Sequence, residues 1–154
     1  MNIDDKDRHI LDIIQEDGRI PNKEIAAQVG LTPSATSERL KKLRESGLIR
    51  AIEARLDDKM VDRSLLAFVM VRTSEMASSD CIGNELAKIP EVQEVFNVAG
   101  EDCYLLKVRT KNTLSLSRLL REQIGAIEQV TSTRTTIVME SFKETSRIPL
   151  NGSA

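Results

Sequence analysis

The residues best suited to chemistry lie in one short stretch, residues 32–44, where hydroxyl and charged groups alternate with apolar side chains. Helical spacing places Leu40 and Leu43 on one side, with Thr36 a turn earlier. Hydroxyl groups near a helix start can bond phosphates or base edges, and lysines suit phosphate contact. The pattern predicts a nucleic-acid contact. The predicted DNA-binding residues are Ser34, Ala35, Ser37, Glu38, Arg39, Lys41, Lys42 and Arg44.

Charge is concentrated around this stretch. Residues 32–56 contain six Lys/Arg against three Glu, a local balance of +3 in a chain whose net charge is −2. Basic charge gathered on one element of an acidic protein favours a nucleic-acid partner. The alternative is an ordinary solvated amphipathic helix, because charged residues commonly occupy an exposed helix face.

Aromatic residues distinguish duplex from single-stranded nucleic acid. All four lie well beyond this stretch, at Phe68, Phe96, Tyr104 and Phe142. Proteins that hold single strands usually stack bases on aromatic rings. Their absence beside the basic stretch favours double-stranded DNA over RNA.

Residues 22–43 contain the caps and the turn of a helix-turn-helix. Asn22 is predicted to cap a first helix, and Gly30 follows where the chain must adopt a left-handed conformation. Thr32 then caps a second helix, and Pro33 occupies its first position, where the missing amide proton costs nothing. The second helix of this motif enters the major groove, so the basic residues lie on the element that would contact DNA.

The order of periodic segments predicts two domains. An N-terminal helix-turn-helix (winged-helix-like) domain begins with a helix over residues 4–15, capped by Asp4, and ends with a strand over residues 48–56. A polar linker separates it from the second domain. The predicted divisions are residues 1–56, 57–64, 65–145 and a tail over 146–154.

The second domain has the order strand, helix, strand, strand, helix, strand. This βαββαβ order is that of a ferredoxin-like sandwich, in which two helices cover one face of an antiparallel sheet. The predicted fold is therefore α+β, with a strand linker between the domains. The six segments are residues 65–73, 78–89, 92–99, 102–109, 112–124 and 130–140.

The first strand of this sheet indicates a homodimer. Its sequence LLAFVMV, residues 65–71, is apolar on both faces, whereas a strand with one face in water should alternate. The two helices can cover only one face. We therefore expect a second subunit to cover the other.

Several features bear on where the protein works. The longest apolar run, residues 65–71, is too short to cross a bilayer, and the acidic N-terminus is unlike a signal peptide. Two cysteines, Cys81 and Cys103, suggest a reducing compartment rather than a disulfide framework. The expectation is a cytoplasmic protein with no membrane partner.

Together these segments resemble the Lrp/AsnC, or feast/famine, transcriptional regulators over nearly the whole chain. The resemblance implies a DNA-binding domain followed by a domain that forms dimers, assembles them into tetramers or octamers, and often binds a free amino acid between dimers. No cofactor, metal site or enzymatic activity is implied. The matching segments are DRHILDIIQEDGR (7–19), SERLKKL followed by SGLI (37–49), PEV (90–92), GEDCYLL (100–106) and VTSTRT (130–135).

The resemblance also implies positions for an amino-acid effector, at the turn between the second and third strands and on the last strand. Amide donors and hydroxyls suit the ligand's carboxylate, and acidic groups suit its ammonium group. The chain departs from the family at Cys103, where many members carry an acidic residue. The implied residues are Gly100, Glu101, Asp102, Cys103, Tyr104, Thr131, Ser132, Thr133 and Thr135.

Other interpretations remain open at this stage. Residues 100–102 could form only a hairpin turn, and the threonine-rich last strand could reflect only good β-propensity. A small-molecule-binding oligomer with no DNA role is a second possibility, and an architectural DNA-binding regulator without an amino-acid effector is a third. An enzyme is disfavoured because the chain lacks a glycine-rich phosphate loop and any recognisable metal or nucleophile–histidine pattern.

Overall fold

The computed structural model describes residues 2–74 and 80–150. Within them the chain forms two compact units. One holds the residues up to Arg55 together with those from Lys143 onward, and the other is Leu56–Phe142. No helix in the described ranges is both long and apolar enough to span a membrane.

Three helices form in the described part of the first unit. They are α1 (Asp5–Glu16), α2 (Asn22–Val29) and α3 (Pro33–Glu45). Asp4 caps α1 as predicted, and its side chain and that of Asp7 form a reciprocal capping box. The core between the helices is built from Ile10, Leu11, Ile25, Val29, Leu40 and Leu43.

The linker strand predicted for residues 48–56 is wrong, because these residues belong to no strand of the described chain. Leu48, Ile52 and Leu56 are 48%, 49% and 74% exposed. A strand needs a neighbouring strand to satisfy its backbone groups, and alternating side chains alone do not supply one.

The second unit has the predicted βαββαβ order. Its sheet has the antiparallel order β2-β3-β1-β4, so the ferredoxin-like α+β fold is confirmed. The elements are β1 (Leu65–Thr73), α4 (Asp80–Ala87), β2 (Val92–Asn97), β3 (Tyr104–Thr110), α5 (Thr113–Arg118) and β4 (Val130–Ile137). The predicted start of α4, at residue 78, lies outside the described residues.

Several predicted ends differ from the structure. The helix at α5 continues as a π-helical segment over Leu119–Ile124, which Gly125 closes by donating its amide to Leu120 O at 2.8 Å. β4 ends at Ile137 rather than residue 140, because its last register partner on β1 is Ala67. The predicted end of β2 and the predicted start of β3 both lie in the turn over residues 98–103.

The two faces of the sheet differ. Ala67, Val69 and Val71 of β1 pack with α4 and α5 in the domain core. The alternate residues Phe68 and Met70 face away from the helices and remain partly exposed. The face without helices is hereafter called the open face.

Candidate DNA-binding surface and effector site

The turn between α2 and α3 forms as the local sequence predicts. Gly30 has φ +65° and ψ +49°, a left-handed conformation that glycine adopts without steric cost. Leu31 then donates its amide to Ala26 O at 2.9 Å. Thr32 Oγ1 accepts from the Ala35 amide at 3.2 Å, and Pro33 occupies the first helical position.

Asn22 does not cap α2. Pro21 occupies the cap position, and its carbonyl accepts from the amides of Glu24 and Ile25 at 2.9 and 3.2 Å. The helix therefore begins one residue earlier than a capping Asn22 requires. The Asn22 side chain instead donates to Ser37 Oγ at 2.9 Å, which brings the start of α2 onto the surface of α3.

One face of α3 is exposed and polar. Leu40, Leu43 and Thr36 are buried, as the spacing predicts, and Ala35 is half-buried. A surface depression of about 480 Å³ lies between α3 and the start of α2. Its lining includes a hydroxyl, carboxylates and cations, the groups that contact phosphates and base edges. The exposed predicted residues are Ser34, Ser37, Glu38, Lys41, Lys42 and Arg44.

Arg39 differs from the other cations of α3 because its partners lie at the start of α1, whereas Lys41 Nζ lies 3.8 Å from Glu45 Oε1 of α3 itself. Arg39 Nη1 lies 2.7 Å from Asp4 Oδ2 and 2.8 Å from Asp7 Oδ1. These hydrogen bonds, first with Asp7 and then with Asp4, raise the pKa of Arg39. The pKa of Asp4 is lowered, chiefly by the hydrogen bond from the Asp7 amide and next by that from Arg39. Arg39 thus joins α3 to the start of α1.

The turn between β2 and β3 is tied to the end of β1. Cys103 donates its amide to Val71 O at 2.9 Å, and its carbonyl accepts from the Val98 amide at 3.0 Å. Thr73 Oγ1 donates to Cys103 Sγ at 3.2 Å. Gly100 has φ +141°, and a Cβ built there would meet nothing within 4 Å. The turn therefore depends on glycine for its backbone conformation rather than for space.

Both acidic residues of this turn pair with arginines on neighbouring strands. Glu101 Oε2 lies 3.2 Å from Arg72 Nη2, and Asp102 Oδ2 lies 2.7 Å from Arg134 Nη2. Neither arginine is among the site residues predicted from the sequence. Strand alternation could have found them, because Arg72 and Arg134 share the open face with Phe68 and Met70.

The hydroxyl-bearing residues of β4 lie on two faces. Ser132 is opposite Arg72 in the register, on the open face near the turn. Thr133 and Thr135 are opposite Val71 and Val69 and therefore lie on the helix side. Thr131, at the same end of the sheet as Ser132, donates its hydroxyl to the Arg72 carbonyl at 3.1 Å.

Two of the implied effector residues have other surroundings. Thr135 lines an open depression of about 350 Å³ with Leu116 and Leu120. Tyr104 is 3% exposed, and its ring lies against Gly83 of α4, 3.2 Å from where a Cβ there would stand. The structure thus gathers residues 100–103 with Arg72, Thr131 and Ser132, and separates Thr135 and the Tyr104 ring from them.

Comparison with protein families matches both units. Residues 66–148 match the Lrp/AsnC ligand binding domain, and residues 3–50 match a winged helix-turn-helix DNA-binding domain. The HTH-type transcriptional regulator FL11 of Pyrococcus furiosus is 36% identical over 96% of this chain and 97% of its own. The leucine-responsive regulatory protein of Escherichia coli K12 is 36% identical over 96% of this chain and 91% of its own.

Solved structures of regulators have the same fold. A transcriptional regulator of Neisseria meningitidis in complex with L-methionine superposes with a TM-score of 0.91 at 30% identity, covering 97% of this chain and 98% of its own. A feast or famine regulatory protein of M. tuberculosis complexed with L-methionine has a TM-score of 0.88 at 31% identity, covering 96% of this chain and 99% of its own.

Proposed function

The chain belongs to the Lrp/AsnC family of transcriptional regulators, and on that basis we propose that it binds duplex DNA through α3 and responds to a free amino acid bound in its second unit. The observation that carries the DNA-binding part is the exposed face of α3, where cations follow hydroxyl groups beside the tight turn at Gly30. A regulator acts where the DNA is, so we propose a cytoplasmic location and no catalytic role.

The contacts of α3 divide by chemistry. Lys41, Lys42 and Arg44 would contact phosphates, which position the protein without specifying sequence. Ser34, Ala35, Ser37 and Glu38 lie closer to the helix start and would contact base edges. We assign Arg39 a positioning role, because its guanidinium already pairs with Asp4 and Asp7. This assignment removes Arg39 from the predicted DNA contacts.

The open face of the sheet supports a homodimer. Phe68 and Met70 lie on it beside Leu105 of β3, the register partner of Met70. Phe96 of β2, the register partner of Leu105, is 47% exposed. Burying such a patch in a second subunit is favourable at about 25 cal/mol per Å² of apolar surface. A dimer would also place two α3 helices on one DNA molecule, and further assembly to tetramers or octamers is part of the proposal.

The effector part of the proposal concerns residues 100–103 with Thr131 and Ser132, because Thr133 lies on the helix side of β4. The regulators of N. meningitidis and M. tuberculosis described above carry L-methionine. In this chain Glu101 and Asp102 could accept from a ligand ammonium group, and Arg72 or Arg134 could donate to its carboxylate. The ammonium and carboxylate groups of the ligand would replace the partners in the existing ion pairs.

A specific observation also favours the alternative of a regulator without an amino-acid effector. Cys103 stands where many family members carry an acidic residue, and both acidic groups of the turn are already paired with arginines. A ligand must compete with those pairs.

Gel mobility on duplex DNA tests the proposal. A duplex selected from a random pool should be retarded by the wild-type protein, and one or more of the twenty amino acids should change the apparent Kd. Retardation that no amino acid alters would support the alternative. No retardation of any duplex at low salt would contradict both.

A further inference from the structure

The C-terminal segment, defined here as residues 147–150, lies along α1 of the first unit. We propose that the outer face of α1 formed by Arg8, Asp12 and Gln15 is a docking site for this segment, and that the docked segment is an integral part of the DNA-binding unit. The inference starts from the clustering of the chain from Lys143 onward with the N-terminal helices rather than with the sheet.

Gln15 makes the most specific contact. Its Oε1 accepts from the Ile148 amide at 2.7 Å, and its Nε2 donates to the Ile148 carbonyl at 3.0 Å. A side-chain amide carries one acceptor and a donor group in fixed geometry, so Gln15 satisfies both backbone groups of one extended residue. Both bonds involve only the backbone of Ile148, whose side chain is 66% exposed.

Arg8 and Asp12 extend the contact along the helix. Arg8 Nη1 donates to the Leu150 carbonyl at 3.3 Å, and Arg147 Nη2 lies 3.7 Å from Asp12 Oδ1. Residues 8, 12 and 15 follow i, i+4, i+7 spacing and share one helix face. Leu150 lies near the helix start at Arg8 and Ile148 lies near its end at Gln15, so the segment runs antiparallel to α1.

Apolar packing and backbone chemistry favour the same arrangement. Leu150 packs against the core that contains Ile10 and Leu43. Pro149 has no amide proton, so the residue between the two anchored positions leaves no donor to satisfy. The segment that fits this face is extended and carries a cation, a proline and an apolar residue.

Docking would support the DNA-binding helix through α1. Ile10 and Leu11 of α1 pack in one core with Leu40 and Leu43 of α3, and Arg39 also joins α3 to the start of α1. The segment follows β4 along the chain, which carries proposed effector residues. That connection rests on the proposed function, whereas the docking itself does not.

Hydrogen exchange on the intact chain tests the docking without DNA or amino acid. In Gln15→Ala the Ile148 amide loses its acceptor, so exchange in a peptide covering residues 145–150 should become about fivefold faster. The matched control is Gln28→Ala, the same change at an exposed position of α2, which should leave that peptide unchanged.

A second variant addresses packing. Leu150→Asp should increase exchange across α1 and raise the Kd for a selected duplex severalfold, while exchange in β1 stays at its wild-type rate. The proposal is overturned if both variants leave exchange in residues 145–150 and in α1 at the wild-type rate. It is also overturned if Gln15→Ala and Gln28→Ala have equal effects.

Discussion

Arg39 Nη1 lies 2.8 Å from Asp7 Oδ1, and this contact joins the helix proposed to bind DNA to the capping box that begins α1. Asp7 is only 7% exposed. A buried carboxylate needs a partner, because desolvation penalises an unpaired charge. The residue that looks like a further cation on a basic helix therefore has a structural task.

Replacing Arg39 should destabilise the first unit. Arg39→Gln leaves the buried carboxylate of Asp7 without its cationic partner, so we expect a loss of about 1 kcal/mol in the free energy of unfolding. Urea denaturation measures it. The control Arg44→Gln, on an exposed residue of the same helix, should stay within about 0.5 kcal/mol of wild type.

The same variant distinguishes positioning from DNA contact. If Arg39 only positions α3, Arg39→Gln should weaken DNA binding while leaving the slope of log affinity against log salt unchanged. A phosphate contact would instead reduce that slope by about 0.9. A reduced slope would return Arg39 to the DNA-binding residues.

Acid should weaken the first unit through Asp4. The pKa of Asp4 lies below its ordinary value of 3.8 because of the Asp7 amide and Arg39. A carboxyl group with a lowered folded pKa contributes stability above its unfolded pKa and loses it as pH falls through the folded value. The melting temperature should therefore decrease as the pH is lowered below about 4. The decrease should be less steep in Asp4→Asn, which keeps a capping side chain.

Gln28→Ala provides the control for this titration. It changes an exposed, uncharged residue of α2 in the same unit. Its melting temperature should depend on pH as that of wild type does. Equal acid dependence of wild type and Asp4→Asn would contradict the assignment to Asp4.

Local features were predictable from the sequence. The bounds of β1 agree residue for residue with residues 65–73, because an uninterrupted apolar run bounded by polar residues defines a buried strand. The turn forms as predicted, because Gly30, Thr32 and Pro33 determine only the conformation of residues close to them in sequence. The prediction that Asn22 caps α2 is wrong because Pro21 occupies the cap position.

Long-range relationships were not predictable in the same way. The pairing of Arg39 with Asp4 and Asp7, and of Arg134 with Asp102, joins residues far apart in sequence. A count of local charge cannot detect such partners. The prediction of a strand over residues 48–56 is wrong for a related reason. A strand needs a hydrogen-bonded neighbouring strand, and the sequence of the segment does not show whether one exists.

The open face should be the dimer interface. Phe68→Glu places a charge at its centre, and we expect sedimentation to show a shift to monomer. Leu114→Glu is the matched control, because Leu114 is 58% exposed and lies on α5, in the helix layer. A dimer that survives Phe68→Glu with unchanged affinity would contradict this interface.

Calorimetry should locate the effector. We expect heat from at least one of the twenty amino acids with wild type. Gly100→Ala should weaken that binding, because φ +141° strains any residue with a Cβ, and Ser132→Ala should weaken it by removing a hydroxyl on the open face. Thr113→Val serves as a control in the same domain. Binding unaffected by Gly100→Ala and Ser132→Ala would put the pocket elsewhere.

A dimer should contact DNA twice. Footprinting on a selected duplex should show two protected patches separated by about one helical turn, or a multiple of it, because the two α3 helices approach equivalent half-sites. The substitution Ser37→Ala should change which sequences are selected. A single unrepeated patch would contradict the dimeric mode of binding.

The salt dependence of DNA affinity tests the central claim most directly. It should be measured on one selected duplex and one unrelated duplex, for wild type, for the Lys41→Ala/Lys42→Ala double variant, and for Lys88→Ala in the second unit as a control. We predict that the double variant weakens binding to both duplexes and reduces the slope of log affinity against log salt by about 1.8, while Lys88→Ala matches wild type. A double variant with the wild-type slope would contradict the proposal that α3 carries the protein's contact with DNA.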